Sequence, residues 1–377
     1  MSNPILGVDR LEAFARLFEG RRLGLVANHA SRDSNLVPTW DRLKALKDAR
    51  LERLFSPEHG LHGVLQDGEK AADGTDGQTG LPVISLYGPR LTPETSHFEG
   101  LDAIVYDIQD VGVRAYTYLA TLLRLCAGAA EAGIDIIILD RPNPLGRIIE
   151  GGGVAADSLN FVAPMDAPLR HGLTLGEIAR LHCAENALPP PTVAPCEGWT
   201  GEPVAPDRRW LAPSPNLPTS MAALAYPGTV LVEGTGLSEG RGTTRPFTTI
   251  GAPGLDGVAL ADRLSRHPGL EAWATWFRPS FSKHAGTVCD GVELYIADRR
   301  AYRALPVALD ILAFVRDEAP DALAVNGHLA LLAGGPALGE WLECEGAGVD
   351  DMLRSWEPDR LAFAERARPH RLYGSCP

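Results

Sequence analysis

Cysteine is scarce in this chain: six in 377 residues, Cys126, Cys183, Cys196, Cys289, Cys344 and Cys376, with no CxxC spacing among them. That density is too low for a disulfide scaffold, so the thiols read as reduced. Long apolar runs are missing as well. No segment approaches the ~18 apolar residues of a membrane span. The opening MSNPILGVDRLEAFARLFEG lacks a charged stretch followed by an unbroken apolar one. As written the chain reads as cytoplasmic, and as exported if a leader has been trimmed from it. Positive charge is in deficit, 35 Lys and Arg against 48 Asp and Glu, for a formal charge of -13. A general affinity for nucleic acid or anionic membrane is excluded, because both need clustered cations.

Glycine and proline, by contrast, are plentiful, at 40 and 30, and point to many shaped turns on which function can sit. The length suffices for two domains, or for one large domain with an appendage. Short apolar runs alternate with helical periodicity: LGLVA ends at Asn28 and His29, Leu51 to Phe55 at SPEHG, Ala103 to Ile108 at QDVGVR and IDIIIL at DRPNP. Helical spacing marks Leu11 to Leu17, Leu36 to Asp48, Tyr116 to Ala132 and a segment from Thr174. Strands and helices in this alternation, with polar strand ends, predict an α/β fold with a mostly parallel, doubly wound, Rossmann-like sheet. Pro189 to Pro218 carries no regular element, and Tyr226 to Glu233 reads as a strand. A smaller C-terminal α/β domain is expected after a boundary near 245, giving domains at 1–245 and 246–377. It holds a helix near Gly257 to Arg266, a strand at GVELYIAD, and helices at Ala304 to Asp317 and from Pro336 onward.

In such sheets ligands bind beyond the carboxyl ends of the strands, so Ser56, Glu58, His59, Asp107, Gln109 and Asp110 are candidates to line one site. Glu58 stands in a tight corner, where partial burial favours the protonated carboxyl that a general acid needs, or where it simply caps a turn. Asp107 and Asp110 are three apart on a chain leaving a strand, and a carboxylate pair near a third suits glycoside hydrolysis, although Asp110 also fits a helix cap. The polar stretch from Gly63 to Gly80, with Asp67, Glu69, Asp73 and Asp76, reads as a solvent-facing excursion or lid.

Other patterns are weaker. His59 and His62 form HxxH, but Gly60 opposes the helix a metalloprotease site requires. GLSEG at Gly236 to Gly240 matches GxSxG, yet no helix follows it, and the same context rules against a dinucleotide loop. The Gly-rich loop more readily presents Ser238, Glu239 and Arg241 to a ligand. Arg114, Arg141, Asn143, Asn216 and Arg241 together suit a carboxylate with several hydroxyls, or else form a solvated charged surface.

LFSPEHGLHG, TGLPVISLYG, DIQDVGVRAYTY, LDRPNPLG, HGLTLGEIA, PSPNLPT and YPGTVLVEGTGLSEGRGTTRPF occur in the order that resembles the exo-β-N-acetylmuramidase (NamZ) family of peptidoglycan hexosaminidases. The resemblance covers nearly the whole chain. It implies a Rossmann-like catalytic domain and a smaller C-terminal one, with the site in the cleft between them. It further implies release of non-reducing terminal N-acetylmuramic acid (MurNAc) from fragments such as MurNAc-GlcNAc, without metal or cofactor. By motif the proposed catalytic glutamate falls on Glu58, with Asp107, Asp110 or Glu239 as partner. His59, Gln109, Arg114, Tyr116, Asp140, Arg141, Asn143, Asn216, Glu239 and Arg241 are then the substrate contacts, and Arg114, Arg141 or Arg241 suits the lactyl carboxylate. Two competing functions stand beside this one: a phosphate-ester hydrolase with Mg²⁺ on Asp107 and Asp140, and a non-catalytic module binding cell-wall sugars.

Overall fold

The computed structural model describes residues 4–205 and 209–374, so Cys376 lies outside the described residues. In chain order the first part contains β1 (Arg22–Ala27), α1 (Thr39–Lys44), β2 (Arg50–Ser56), β3 (Gly74–Thr75), β4 (Pro82–Ser85), β5 (Ala103–Asp107), α2 (Thr117–Ala132), β6 (Asp135–Leu139), α3 (Leu175–Glu185) and β7 (Thr192–Ala194). All seven strands join one sheet in the order β3-β4-β2-β1-β5-β6-β7. Only the short β3 runs antiparallel to its neighbour. From β1 the chain winds first toward β2 and β4, then returns to the other side through β5, β6 and β7. The topological switch therefore lies between β1 and β5, as the Rossmann-like reading requires.

The apolar runs are continuous because both sheet faces are covered. Alternate residues divide between two cores. Val26, Ile104, Tyr106, Ile136 and Ile138 pack on the side of α2 and α3. Leu23, Leu25, Ala103, Val105, Ile137 and Leu139 face Leu11 of a 3₁₀ segment at Gly7–Leu17 and Trp40 of α1. A strand period of two thus assigns each side chain to one core or the other. α2 stops at Gly133, whose φ of 68° gives the left-handed C-cap that a residue with a Cβ would strain to adopt. α3 starts on a capping box, Thr174 accepting from Glu177 N at 3.2 Å and Glu177 accepting from Thr174 N at 3.0 Å.

The second part contains α4 (Ser220–Thr229), a 3₁₀ turn at Val230–Gly234, β8 (Thr249–Ala252), α5 (Gly257–Leu264), β9 (Leu270–Phe277), β10 (Cys289–Ile296), α6 (Ala304–Glu318), α7 (Pro320–Leu323), α8 (Gly327–Ala333), α9 (Ala337–Glu343) and α10 (Val349–Ala367). Its strands form an antiparallel sheet ordered β8-β10-β9. Here the sequence reading needs correction. The expected strand at Tyr226 to Glu233 is helix and 3₁₀ turn. Ala222 through Thr229 are all buried, so no polar face marks a helical period, and Thr219 provides the N-cap by accepting from Ala222 N at 3.1 Å. α4 lies so close to α6 that a Cβ on Gly228 would stand 2.3 Å from Ala304 O. β7 emerges from the Pro-rich stretch because β6 offers it an edge. β9 escaped notice because Trp273 and Trp276 are exposed among half-buried neighbours, which blurs the alternation.

One apolar core runs from Val26 to Ala367, through both parts. Buried polar bonds add to it. Arg114 donates to the carbonyls of Ala167 (2.5 Å), Gly152 (3.2 Å) and, across in α8, Leu332 (2.7 Å). Glu150 pairs with Arg170 at 2.5 Å and accepts from Ala304 N and Leu305 N at 3.4 Å each, so its charge sits at the N-terminus of α6. The strand ends of the large sheet and the Gly-rich loop before β8 are thereby held in a shared frame.

Candidate active site

β2 ends at Ser56, Pro57 turns the chain, and Gly60 N bonds Pro57 O at 3.0 Å to close the corner. His59 takes a left-handed φ of 70°, unfavourable for a residue with a Cβ, and is held there by a 2.9 Å bond from Nδ1 to Leu65 O. This corner delivers Glu58 inward, 3% exposed. Its Oε2 accepts from Thr117 Oγ1 at 2.7 Å and its Oε1 from Gly68 N at 3.1 Å. Thr117 is the first residue of α2, so the positive end of that helix faces the carboxyl group. Tyr87, just past β4, is turned toward the same carboxylate; burial first, and then the Glu58 charge, push its hydroxyl above the ordinary tyrosine range.

Opposite stands the Gly-rich loop. Arg241 Nη1 donates to Glu233 Oε1 at 2.7 Å and to Glu239 Oε1 at 3.2 Å, with the guanidinium 4.9 Å over the Phe247 ring. Lys283 Nζ lies 3.2 Å from Glu239 Oε2 while donating to the carbonyls of Val232 and Leu237 at 2.8 Å. Burial works against the charge on Arg241, but Glu233, Asp67 and Glu239 outweigh it and hold the group above its ordinary range. Phe247, like His59, is a non-glycine residue at positive φ (64°).

The two sides meet through consecutive residues of the Gly63 to Gly80 excursion. Gly68 N is bonded to Glu58, and the Asp67 carboxylate lies 3.7 Å from Arg241 Nη2. Beneath them an aromatic wall runs from Tyr118 through Tyr116 (4.6 Å between centroids) and Tyr226 (6.0 Å) to Phe247 (4.7 Å). Burial, and after it the Glu233 charge, hold the Tyr226 hydroxyl well above the ordinary tyrosine range. Thr117, Tyr118, Tyr226, Glu233, Phe247 and Lys283 escaped the sequence reading. Thr117 and Tyr118 adjoin Tyr116, which was singled out, whereas the other four stand apart in sequence from every candidate and only the fold brings them to the site.

Several expected site residues have structural duties instead. Asp107 is fully buried; both its oxygens accept from Arg141 (Nε 2.6 Å, Nη2 2.8 Å) and one also from the Thr39 hydroxyl. Arg141 Nη2 also donates to Arg32 O at 2.9 Å, so the enclosed Asp107 is not free for a ligand and only the Nη1 end of Arg141 has no bond among the described residues. Asp140 accepts from Thr174 Oγ1 (2.6 Å), Gly176 N (3.0 Å) and Tyr373 OH (2.5 Å), fastening α3 and the C-terminal segment to the end of β6. Asn143 bonds Leu173 O and Leu145 N, both at 2.9 Å. Arg114, fully buried, gives both terminal nitrogens to the three carbonyls named above, and its Nε has no partner among the described residues. Ser238 is buried and its Oγ accepts from Gly240 N at 3.2 Å, which is the turn reading of GLSEG. His59 and His62 diverge, the latter donating to Asp76 at 2.7 Å. Among the described residues no group of three or more His, Cys, Asp or Glu is arranged to hold a metal ion.

Gln109 bonds Asp110 O (2.7 Å) and Pro142 O (3.2 Å) and lines a separate cavity of about 790 Å³ with Arg32, Arg141, Asn143, Trp199 and Trp210. Trp210 and Leu211 face that cavity, whereas the next two carbonyls, Ala212 and Pro213, bond His29 (2.7 Å) and Tyr118 (2.7 Å) on the Glu58 side. Asn216 follows, buried, its side chain without a hydrogen-bond partner among the described residues.

Asp110 has an unusual setting. Its Oδ2 accepts from Gly112 N at 2.6 Å and lies 3.8 Å from His171 Nε2, but its Oδ1 and that ring nitrogen are both buried without a hydrogen-bond partner among the described residues. Burial pushes the Asp110 carboxyl up to about 7, offset only in part by the amides of Gly112 and Val111, and the same burial brings His171 down to about 3. A carboxyl whose folded pKa lies above its unfolded value binds more protons folded than unfolded. Its stabilising contribution is present at low pH and lost as pH rises toward 7. Asp110→Asn therefore shows a smaller fall in urea midpoint than the parent between pH 5 and pH 8. The remaining pH dependence combines Asp140, which burial raises to about 6 and which lowers the midpoint as pH rises, with His171, whose depressed value raises the midpoint as pH climbs toward 6.5. Parallel midpoint curves for the two proteins would mean that Asp110 is ionised throughout.

The N-terminal profile of the exo-β-N-acetylmuramidase NamZ family matches residues 23–221, and its C-terminal profile residues 224–373. The chain belongs to the NamZ family. Over 97% of its length it is 37% identical to the peptidoglycan β-N-acetylmuramidase NamZ of Bacillus subtilis, of which 91% is covered. Two crystal structures of DUF1343 family proteins from Bacteroides fragilis share the fold, each at 29% identity. One has a TM-score of 0.89 over 98% of this chain and 99% of its own; the other has 0.82 with complete coverage of both. This NamZ family member carries the Glu58 corner in the N-terminal match and the Arg241 loop in the C-terminal one.

Proposed function

We propose that this chain is an exo-acting glycoside hydrolase that releases non-reducing terminal MurNAc from peptidoglycan fragments, with Glu58 as general acid. Membership of the NamZ family supports the reaction. The observation that carries the assignment of Glu58 is its position: a buried carboxyl at a strand end and a helix N-terminus, each oxygen steadied by a different element, in a site walled by tyrosines. A proton passes from Glu58 to the glycosidic oxygen as the C1–O bond breaks, and the departing sugar leaves as a neutral alcohol. Positive charge then develops at C1. It is met by water activated by a second carboxylate, or by the substrate's own 2-acetamido oxygen, whose cyclic intermediate water opens while Glu58 takes back a proton.

With Asp107 bound to Arg141, Glu239 and Asp110 remain as carboxylates for the second role. Incubation with a chromogenic MurNAc glycoside and its GlcNAc counterpart, with and without EDTA, tests the reading. Expected is turnover of the MurNAc glycoside that EDTA leaves unchanged. Loss with EDTA would support the metal-dependent alternative instead, and binding without turnover a sugar-binding module.

A further inference from the structure

Arg241 is incompletely used. Its Nη1 is shared by Glu233 and Glu239, but Nε is buried with no hydrogen-bond partner among the described residues. Nη2 meets only Asp67, at 3.7 Å, an ion pair too long for a hydrogen bond, and that aspartate side chain is 58% exposed. The idle edge, Nε with Nη2, is one of the two on which a guanidinium grips a carboxylate in parallel bonds. Glu233 and Glu239, meanwhile, orient the group and keep it charged. The adjoining amide, Gly68, sits on Glu58. The free edge and the acid are thus linked through two consecutive residues.

A muramic acid unit has the matching layout. Its glycosidic oxygen is on C1 and its carboxylate hangs from O3, two ring carbons away. We infer that the Nε–Nη2 edge of Arg241 receives the lactyl carboxylate of the substrate, and that Asp67 is the stand-in it displaces. The exchange leaves the local charge unchanged, one carboxylate replacing another, so the acidic surroundings do not oppose it. Weak geometry and exposure make Asp67 easy to remove, whereas Glu239 is buried and Glu233, half-buried, is held by a 2.7 Å bond, so both stay. Arg241 is accordingly the residue that separates MurNAc from GlcNAc. Arg114 is enclosed among the carbonyls it bonds, and Arg141, paired with Asp107, lines the separate cavity, so neither is joined to Glu58 as Arg241 is.

The inference rests on the muramidase reading, and its test keeps the two apart. A chromogenic MurNAc glycoside and its lactyl methyl ester are compared on the parent, Arg241→Lys and Asp67→Asn. Lysine retains the charge that Glu233 and Glu239 require but cannot form the bidentate pair. The parent should prefer acid over ester by roughly 10- to 100-fold in kcat/KM, the range of one or two charge-assisted hydrogen bonds. In Arg241→Lys that ratio should collapse toward one. Asp67→Asn removes the competing carboxylate and should lower KM for the acid several-fold; being exposed, it tests the idea even if the lysine variant folds poorly. A parent that cleaves acid and ester alike, an unchanged ratio in Arg241→Lys, or an unchanged KM in Asp67→Asn would overturn the assignment while leaving the muramidase reading intact. A parent that cleaves neither substrate overturns both.

Discussion

Glu58→Gln should lower kcat on MurNAc-GlcNAc by about 10²- to 10⁴-fold, the usual contribution of a positioned general acid. The loss should be smaller on a chromogenic aryl glycoside. An activated phenol leaves as its anion with little help from a proton, whereas a sugar alcohol cannot, so the dependence on the leaving group marks the acid role. Glutamine keeps the size of the side chain and an oxygen to accept from Gly68 N. Stability should therefore stay within about 1 kcal/mol of the parent. Equal rates for variant and parent on both substrates would remove Glu58 from the mechanism. A uniform loss on both, with a lowered urea midpoint, would mark it as structural.

Asp107→Ala should cost about 3–5 kcal/mol of folding stability, read as a shift in urea midpoint, because it leaves the Arg141 guanidinium buried without its counter-charge. Both partners are almost wholly buried, Arg141 at 7% and Asp107 at 0% exposure. Replacing both together, Asp107→Leu with Arg141→Met, should recover much of that loss, since an apolar pair has no stranded charge. The alternative is that Asp107 serves the chemistry. In that case Asp107→Ala would unfold at the parent's urea concentration yet lose activity, and the structural account of this pair would be wrong. The contrast with Glu58 matters: two acidic residues at the ends of the strands on either side of β1 have opposite expected phenotypes, and the difference follows from what each carboxylate touches.

From the sequence both were legible only as acids at strand ends. The parallel sheet could be read because its strands are buried on both faces, which makes IDIIIL and LGLVA continuous and apolar whatever surrounds them. Helices with one polar face, such as α2 and α3, announced themselves for the related reason that their period survives in the pattern. α4 did not, since a helix buried on every side has no polar face, and its short apolar run looks like a strand. β9 failed in the opposite direction, its tryptophans exposed where alternation predicts burial.

The sequence by itself determined the doubly wound sheet, the Glu58 corner, the Gly-rich loop and, through motifs of unusual length, the family. These are consequences of local chemistry: periodicity, turn residues and burial pattern, all set by near neighbours in the chain. Only the tertiary structure decided which polar residues spend their hydrogen bonds on the protein and which keep some for a ligand. Asp107, Arg141, Asp140 and Arg114 are consumed by partners 34 to 233 residues away or by several carbonyls at once. Arg241 keeps one edge free, and Asp67 and Gly68 bring it beside Glu58. Satisfaction of a polar group depends on the whole set of atoms around it, and that set is assembled only when the chain has folded.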